Sequence, residues 1–184
     1  MLTFILILYS IKLHADPPNN YDTRSDFSIN DIPNYDGPGL ISLGVGYFDF
    51  AKQENQALDL RVEIRPAFGV GGVRPWIALA ATSDGSFYAA SGLLVDINFG
   101  ENWVLTPSVG AGGYHRGNGK DMGSVLQFRV QGDLAYVFDD GSRLALSVSH
   151  LSNARTSSQN PGAEIVTLYY MIPFERLFRS SGGQ

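Results

Sequence analysis

The feature that most constrains the fold of this chain is a regular alternation of apolar and polar side chains. In residues 58–68 one set of alternate positions is apolar (Leu58, Leu60, Val62, Ile64, Pro66 and Phe68) and the positions between carry charges (Asp59, Arg61, Glu63 and Arg65). Residues 126–138 repeat the pattern, with Arg129 and Asp133 among the polar positions. Because successive side chains of a β-strand point to opposite faces, both segments predict strands with one apolar and one polar face.

Turn-forming residues divide the chain after Gly39 into eight segments of about ten residues. The predicted strands are Leu40–Phe50, Leu58–Phe68, Arg74–Thr82, Ser86–Phe99, Trp103–Gly113, Ser124–Phe138, Arg143–Leu151 and Glu164–Phe174. This is the length that a tilted strand needs to cross a membrane. A hydrophobic content of 44% with 17% charged residues and no long apolar run after residue 15 argues against disorder and against a helical membrane protein.

Alternation alone fits two kinds of all-β barrel. A soluble, lipocalin-like barrel buries its apolar face, whereas an outer-membrane barrel turns that face to lipid and pairs its charges in the lumen. Tight turns between some segments and aromatic residues near strand ends favour the membrane form. We therefore predict an eight-stranded antiparallel transmembrane β-barrel of the bacterial outer membrane, with the charged residues as a structural lumen network.

The remaining composition sets the domain organisation. Residues 1–15 predict a secretory signal peptide, 16–38 an irregular Pro- and Asn-rich leader, 39–174 the catalytic barrel and 175–184 a tail. The absence of cysteine excludes thiolate catalysis, and no histidines lie at metal spacing, so we expect no metal and no cofactor. A net charge of −5 without a basic stripe argues against nucleic acid as a partner.

Loop lengths predict which end of the barrel faces outward. With the N-terminus in the periplasm, hairpin parity places residues 51–57, 83–85, 114–123 and 152–163 outside. Three of these are the longest connections, as expected for such barrels. The connection that begins at Ser152 is thereby placed at the outer leaflet.

A possible catalytic group stands on the last two predicted strands. His150 and Ser152 share the apolar face of one strand, and Glu164 lies on the apolar face of the next. A register that sets Glu164 opposite His150 would bring their Cβ atoms to about 5 Å. Ionisable side chains on a lipid-facing surface are costly and tend to be functional, although His-x-Ser is by itself a common surface sequence.

These residue types predict an esterase. A serine hydroxyl is a weak nucleophile until an imidazole takes its proton, and a carboxylate orients and stabilises that imidazole. Ser152 would be the nucleophile, His150 the base and Glu164 its orienting acid. Asn153, Asn160 or backbone N–H groups could donate to the oxyanion, although Asn160-Pro-Gly162 is also an ordinary turn sequence.

A second polar segment is Tyr114-His-Arg-Gly-Asn-Gly-Lys120. His115 is either an exposed loop residue or, with Arg116 and Lys120, a contact for lipid phosphates. Gly110-Ala-Gly-Gly113 is no phosphate loop, because neither a Lys-Ser/Thr pair nor a predicted helix follows it.

The segments His150-Leu-Ser-Asn-Ala154, Asn160-Pro-Gly162, Glu164 and Leu168-Tyr-Tyr-Met-Ile-Pro-Phe174 resemble the outer-membrane lipid A 3-O-deacylases of the PagL type. The resemblance implies an eight-stranded barrel with a Ser-His-Glu triad facing the outer leaflet and lipid A of lipopolysaccharide as substrate. It further implies Asn160 as oxyanion donor, Phe128 as an aromatic near the acyl groove and Gly113 as a backbone N–H donor. The leader and the tail are departures from the family.

Two rival functions remain at this point. One is a non-catalytic barrel for adhesion or membrane integrity, and the other is an outer-membrane phospholipase, which differs in substrate alone. Acyl-chain preference and the choice between monomer and homodimer stay open.

Overall fold

A computed structural model describes residues 37–178, so the predicted signal peptide, nearly all of the leader and the end of the tail lie outside the described residues. The elements are β1 Leu40–Phe48, β2 Ala57–Arg65, β3 Val73–Thr82, β4 Phe87–Val95, β5 Ile97–Phe99, β6 Trp103–His115, β7 Leu126–Val137, β8 Arg143–Ser152, β9 Ala163–Pro173 and α1 Phe174–Phe178. Within this range no helix is both long and apolar enough to span a membrane.

The strands close into one antiparallel barrel. The order is β4-β3-β2-β1-β9-β8-β7-β6-β5, and a further pairing of β4 with β6 closes the ring. Because β4 and β5 are consecutive pieces of one barrel strand that both pair with β6, the barrel has eight strands. The prediction of eight strands is confirmed, and each predicted end lies within three residues of the observed one.

The break between β4 and β5 falls at Asp96. Its carboxylate accepts hydrogen bonds from Arg74 (3.0 Å), Thr106 (2.7 Å) and Arg143 (3.0 Å). Three donors on other strands thus hold the interrupted position, and the pairing with β6 keeps the same register on both sides of it. The sequence predicted one continuous strand from Ser86 to Phe99.

Burial in the barrel is the reverse of that in a soluble protein. The apolar face of β2 is about half exposed, as at Leu58 (50%) and Leu60 (53%), whereas its charged face is buried. Inside, Glu63 accepts hydrogen bonds from Arg65 (2.9 Å) and Arg129 (2.7 Å). Buried charges are tolerated when they are paired in this way. The arrangement is that of an outer-membrane barrel, which confirms the predicted lumen network and excludes the soluble, lipocalin-like alternative.

The connections differ in length between the two ends of the barrel. Residues 49–56, 83–86, 116–125 and 153–162 form one end, which we call the long-loop end. Residues 66–72, 100–102 and 138–142 form the other. Strands β8 and β9 therefore meet the long-loop end at Ser152 and Ala163, next to the predicted catalytic residues.

Candidate active site

The His150 and Glu164 side chains meet on the outer, lipid-facing side of the barrel. The register of β8 with β9 pairs His150 directly with Glu164, which is one of the registers that strand parity allowed. Nδ1 of His150 lies 3.2 Å from Oε1 of Glu164, and the two side chains are 50% and 28% exposed. An Nδ1–H that donates to this carboxylate leaves the Nε2 lone pair of the imidazole free to accept a proton.

Ser152 ends β8 two residues beyond His150, on the same face. It is half-buried and lies opposite Phe128 of β7. Its hydroxyl makes no hydrogen bond to any residue from 37 to 178, so the Ser–His bond is not formed in this structure. Catalytic hydrogen bonds are often long before substrate binds, and residues two apart on one strand face are neighbours that side-chain rotation can join.

The surroundings of this group are apolar. Below His150 the same face of β8 presents Val148, Leu146 and Leu144, all between 42% and 55% exposed. Among the described residues, no cluster of three or more His, Cys, Asp or Glu side chains could hold a metal ion. The side chains gathered here offer a hydroxyl, an imidazole, a carboxylate and nearby amides, open to lipid from the side.

Asn153 organises the loop that follows Ser152. Its side chain is fully buried, and its amide nitrogen donates to the carbonyls of Met122 (3.0 Å) and Gln159 (2.6 Å). Its Oδ1 accepts the N–H of Arg155 at 2.9 Å. Both amide hydrogens are used, so the side chain cannot also donate to an oxyanion. The geometry makes Asn153 a positioning residue.

The turn after Asn153 has an unusual backbone. Ala154 (φ 52°) and Arg155 (φ 64°) both adopt the left-handed conformation that residues other than glycine seldom occupy. Hydrogen bonds from Thr156 to the Asn153 carbonyl, at 3.0 Å from the backbone and 2.8 Å from the hydroxyl, hold the turn. The chain thus bends sharply just beyond Ser152, at the end of the strand.

Asn160 is suited to donate to an oxyanion. Its Oδ1 accepts the backbone N–H of Asn153 at 3.0 Å, which fixes the orientation of its exposed side chain. Because that N–H immediately follows Ser152, the Asn160 amide is held beside Ser152. Its NH₂ group has no hydrogen-bond acceptor among residues 37–178 and remains available.

Phe128 and Gly113 lie at different distances from Ser152. Phe128 pairs directly with Ser152 and is 36% exposed, so its ring borders the site. Gly113 lies on β6, where it pairs with Leu126 of β7. Strand β7 therefore lies between Gly113 and Ser152, and two interstrand spacings of about 4.8 Å each separate β6 from β8. The oxyanion role of Gly113 stays a prediction.

Lys120 is not placed to contact lipid phosphates, contrary to the sequence-based alternative. Its side chain is buried, and Nζ lies 2.6 Å from Oδ1 of Asp49 in an ion pair between two loops. His115 and Arg116 are exposed, and Arg116 pairs with Asp121 at 2.9 Å. Lys120 is buried because it pairs with Asp49 of another loop, and the local sequence does not reveal that partner.

Gly162 is a residue of the site that sequence reasoning treated as part of an ordinary turn. Its φ is +64°, and a Cβ added there would lie 3.1 Å from Cε1 of His150. The imidazole thus packs over a position where any side chain would press against it. The Asn-Pro-Gly sequence indicated the turn, but the contact depends on the pairing of β8 with β9.

Replacing Gly162 with alanine should lower kcat about tenfold or more, because displacing a catalytic group by a fraction of an ångström is costly. Turnover of a lipid ester by the purified, folded barrel measures this effect. Gly85→Ala is the matched control, since Gly85 has φ +85° with open space around it and shares the backbone strain without touching His150. Equal losses in the two variants would contradict a role in placing the imidazole.

Comparison with known proteins gives consistent matches. A family model described as lipid A 3-O-deacylase (PagL) matches residues 76–173 of the chain. The lipid A deacylase PagL of Bordetella bronchiseptica is 29% identical over 117 residues, which cover 62% of this chain and 64% of that protein. The match thus spans a little less than two thirds of the relative's length.

Solved structures show the same fold. The crystal structure of the outer membrane enzyme PagL superposes with a TM-score of 0.58 at 16% identity and covers 73% of this chain and 99% of that one. Neisserial surface protein A gives a TM-score of 0.54 at 8% identity, with 77% and 99% covered. At these identities the likeness concerns the barrel alone.

Proposed function

Because the chain belongs to the lipid A 3-O-deacylase (PagL) family, we propose that it is an outer-membrane serine esterase that hydrolyses the ester-linked 3-O acyl chain of lipid A. The observation that carries this proposal is the contact of His150 with Glu164 at 3.2 Å, with Ser152 beside it on the outer face of the barrel. A lipid ester in the outer leaflet can reach that face without leaving the membrane.

The proposed reaction begins with proton transfer from Ser152 to His150. Nε2 of His150 takes the hydroxyl proton as Oγ of Ser152 attacks the ester carbonyl, and Glu164 stabilises the imidazolium through Nδ1. The carbonyl oxygen becomes an oxyanion, to which the free NH₂ of Asn160 can donate. The bond between the acyl carbon and the sugar oxygen then breaks, and the sugar oxygen takes the proton from His150.

The acyl chain is at this stage an ester of Ser152. Water attacks this ester while His150 acts again as base, and the fatty acid leaves as Ser152 recovers its proton. The apolar residues of β7 and β8 below Ser152 would solvate the acyl chain throughout. Phe128, directly opposite Ser152, would border the start of this chain.

A mixed-vesicle assay tests the substrate. The purified barrel should release the 3-O fatty acid from lipid A and little from phospholipid in the same vesicles. Fatty acids are extracted and identified by mass spectrometry, with heat-unfolded protein as the blank. Equal release of fatty acid from phospholipid would indicate an outer-membrane phospholipase instead. Release of fatty acid from neither lipid would favour a non-catalytic barrel.

A further inference from the structure

A second concave site lies at the long-loop end, beside the candidate active site. It has a volume of about 270 Å³ and is lined by Tyr114, His115, Arg116, Asp121, Met122, Ser124 and Val125. We call it the rim pocket. None of these residues belongs to the catalytic group described above.

The walls of the rim pocket are held by buried contacts. The Tyr114 hydroxyl donates to the Lys120 carbonyl at 2.9 Å, and the Ser86 hydroxyl donates to the Arg116 carbonyl at 2.7 Å. Lys120 is itself fixed by its buried ion pair with Asp49. A loop held in this way presents a preformed cavity, which lowers the entropic cost of binding a ligand.

The rim pocket is connected to the nucleophile. The carbonyl of Met122, in the pocket wall, accepts a hydrogen bond from the amide of Asn153, which directly follows Ser152. Across the outer surface, Val125 lies three residues beyond Phe128, the strand partner of Ser152. One interstrand step of about 4.8 Å and about 10 Å along the strand separate Ser152 from Val125 by roughly 11 Å. This separation exceeds the length of one sugar ring and is comparable to the length of two linked rings.

The polar lining is neutral overall and offers both donors and acceptors. Arg116 and Asp121 form an ion pair at 2.9 Å, with side chains 58% and 63% exposed. Asp121 also accepts the N–H of Gly123 at 2.8 Å, and the Ser124 hydroxyl lies nearby. A carboxylate in the lining disfavours a phosphate, whereas an Arg–Asp pair can donate to and accept from neighbouring hydroxyls of a sugar.

We propose that the rim pocket binds a sugar ring of the glycolipid headgroup, adjacent to the ring that carries the ester. The inference rests on the proposed function, since it concerns the same substrate. It assigns to Arg116 and Asp121 the recognition of a disaccharide headgroup, and thereby the preference of the site for a glycolipid over a phospholipid.

Binding of a water-soluble disaccharide headgroup without acyl chains or phosphate tests the pocket independently of catalysis. Calorimetric titration of the Ser152→Ala protein in detergent should show binding, and Arg116→Ala or Asp121→Asn in that background should weaken it about tenfold, as expected for a lost hydrogen bond to a charged group. The matched control is Arg176→Ala, which removes an exposed ion pair with Asp140 remote from the pocket. Undetectable binding to the parent protein, or equal weakening by Arg176→Ala, would overturn the proposal.

Kinetics on acyl esters of a monosaccharide and of a disaccharide, each with and without phosphate, complete the test. The wild-type chain should prefer the disaccharide, and Arg116→Ala should reduce this preference about tenfold through KM. If Arg116→Ala instead reduced the preference for esters with phosphate and left the preference for the disaccharide unchanged, the sugar assignment would be overturned. Absence of hydrolysis of every ester, with headgroup binding intact, would refute the proposed function and leave the sugar site supported.

Discussion

Replacing Ser152 with alanine should lower the turnover of lipid A by about 10⁴-fold or more, because Ser152 is the proposed nucleophile on which the acyl-enzyme would form. Ser152 is half-buried on the outer face next to His150, and its hydroxyl is free of other partners among the described residues. Fatty acid release by the purified barrel measures the rate. A serine-reactive lipid phosphonate should label the wild-type protein and leave the variant unlabelled.

Ser149→Ala is the control for this change. Ser149 lies on the same strand but on the lumen side, where it is buried. It should retain labelling and turnover near those of the wild type. Labelling of Ser152→Ala at the wild-type level would show that another residue is the nucleophile.

Replacing Glu164 with glutamine should lower kcat by about 10³- to 10⁴-fold, since a neutral amide cannot stabilise the imidazolium and can hold the imidazole in the wrong tautomer. The change keeps the size of the side chain and its place opposite His150. The effect should appear in kcat with little change in KM, because Glu164 acts through the imidazole. Single-turnover fatty acid release measures it.

Glu54→Gln provides a matched control on an exposed loop of the same end. It alters the same net charge without touching His150. If Glu164→Gln kept kcat within about threefold of the Glu54→Gln value, the carboxylate would have no role in orienting the base.

Most of the fold follows from side-chain alternation. The charges at 59, 61, 63 and 65 predict a two-faced strand, and the same period recurs along the chain. Alternation did not tell which face points inward, because a soluble barrel has the same period. The structure decides this by burying Arg61 and Glu63 and exposing Leu60 and Val62. The break at Asp96 could not be predicted, since its partners Arg74 and Arg143 are distant in sequence.

The candidate site was predictable to the extent that it depends on strand parity. Parity placed His150, Ser152 and Glu164 on one face, and the observed register pairs His150 with Glu164. The contacts of Asn153 with Met122 and of Gly162 with His150 could not be predicted, because they join segments brought together by closure of the barrel. The burial of Lys120 against Asp49 has the same origin.

The mass of lipid A from cells that express the chain tests the central claim most directly. Cells carrying the wild-type protein and cells carrying Ser152→Ala, at matched levels of folded barrel in the outer membrane, are compared by mass spectrometry of extracted lipid A. We expect the wild type to yield lipid A lighter by one 3-O acyl chain, and the variant to yield the unmodified mass. Lipid A of unchanged mass in both would contradict the account.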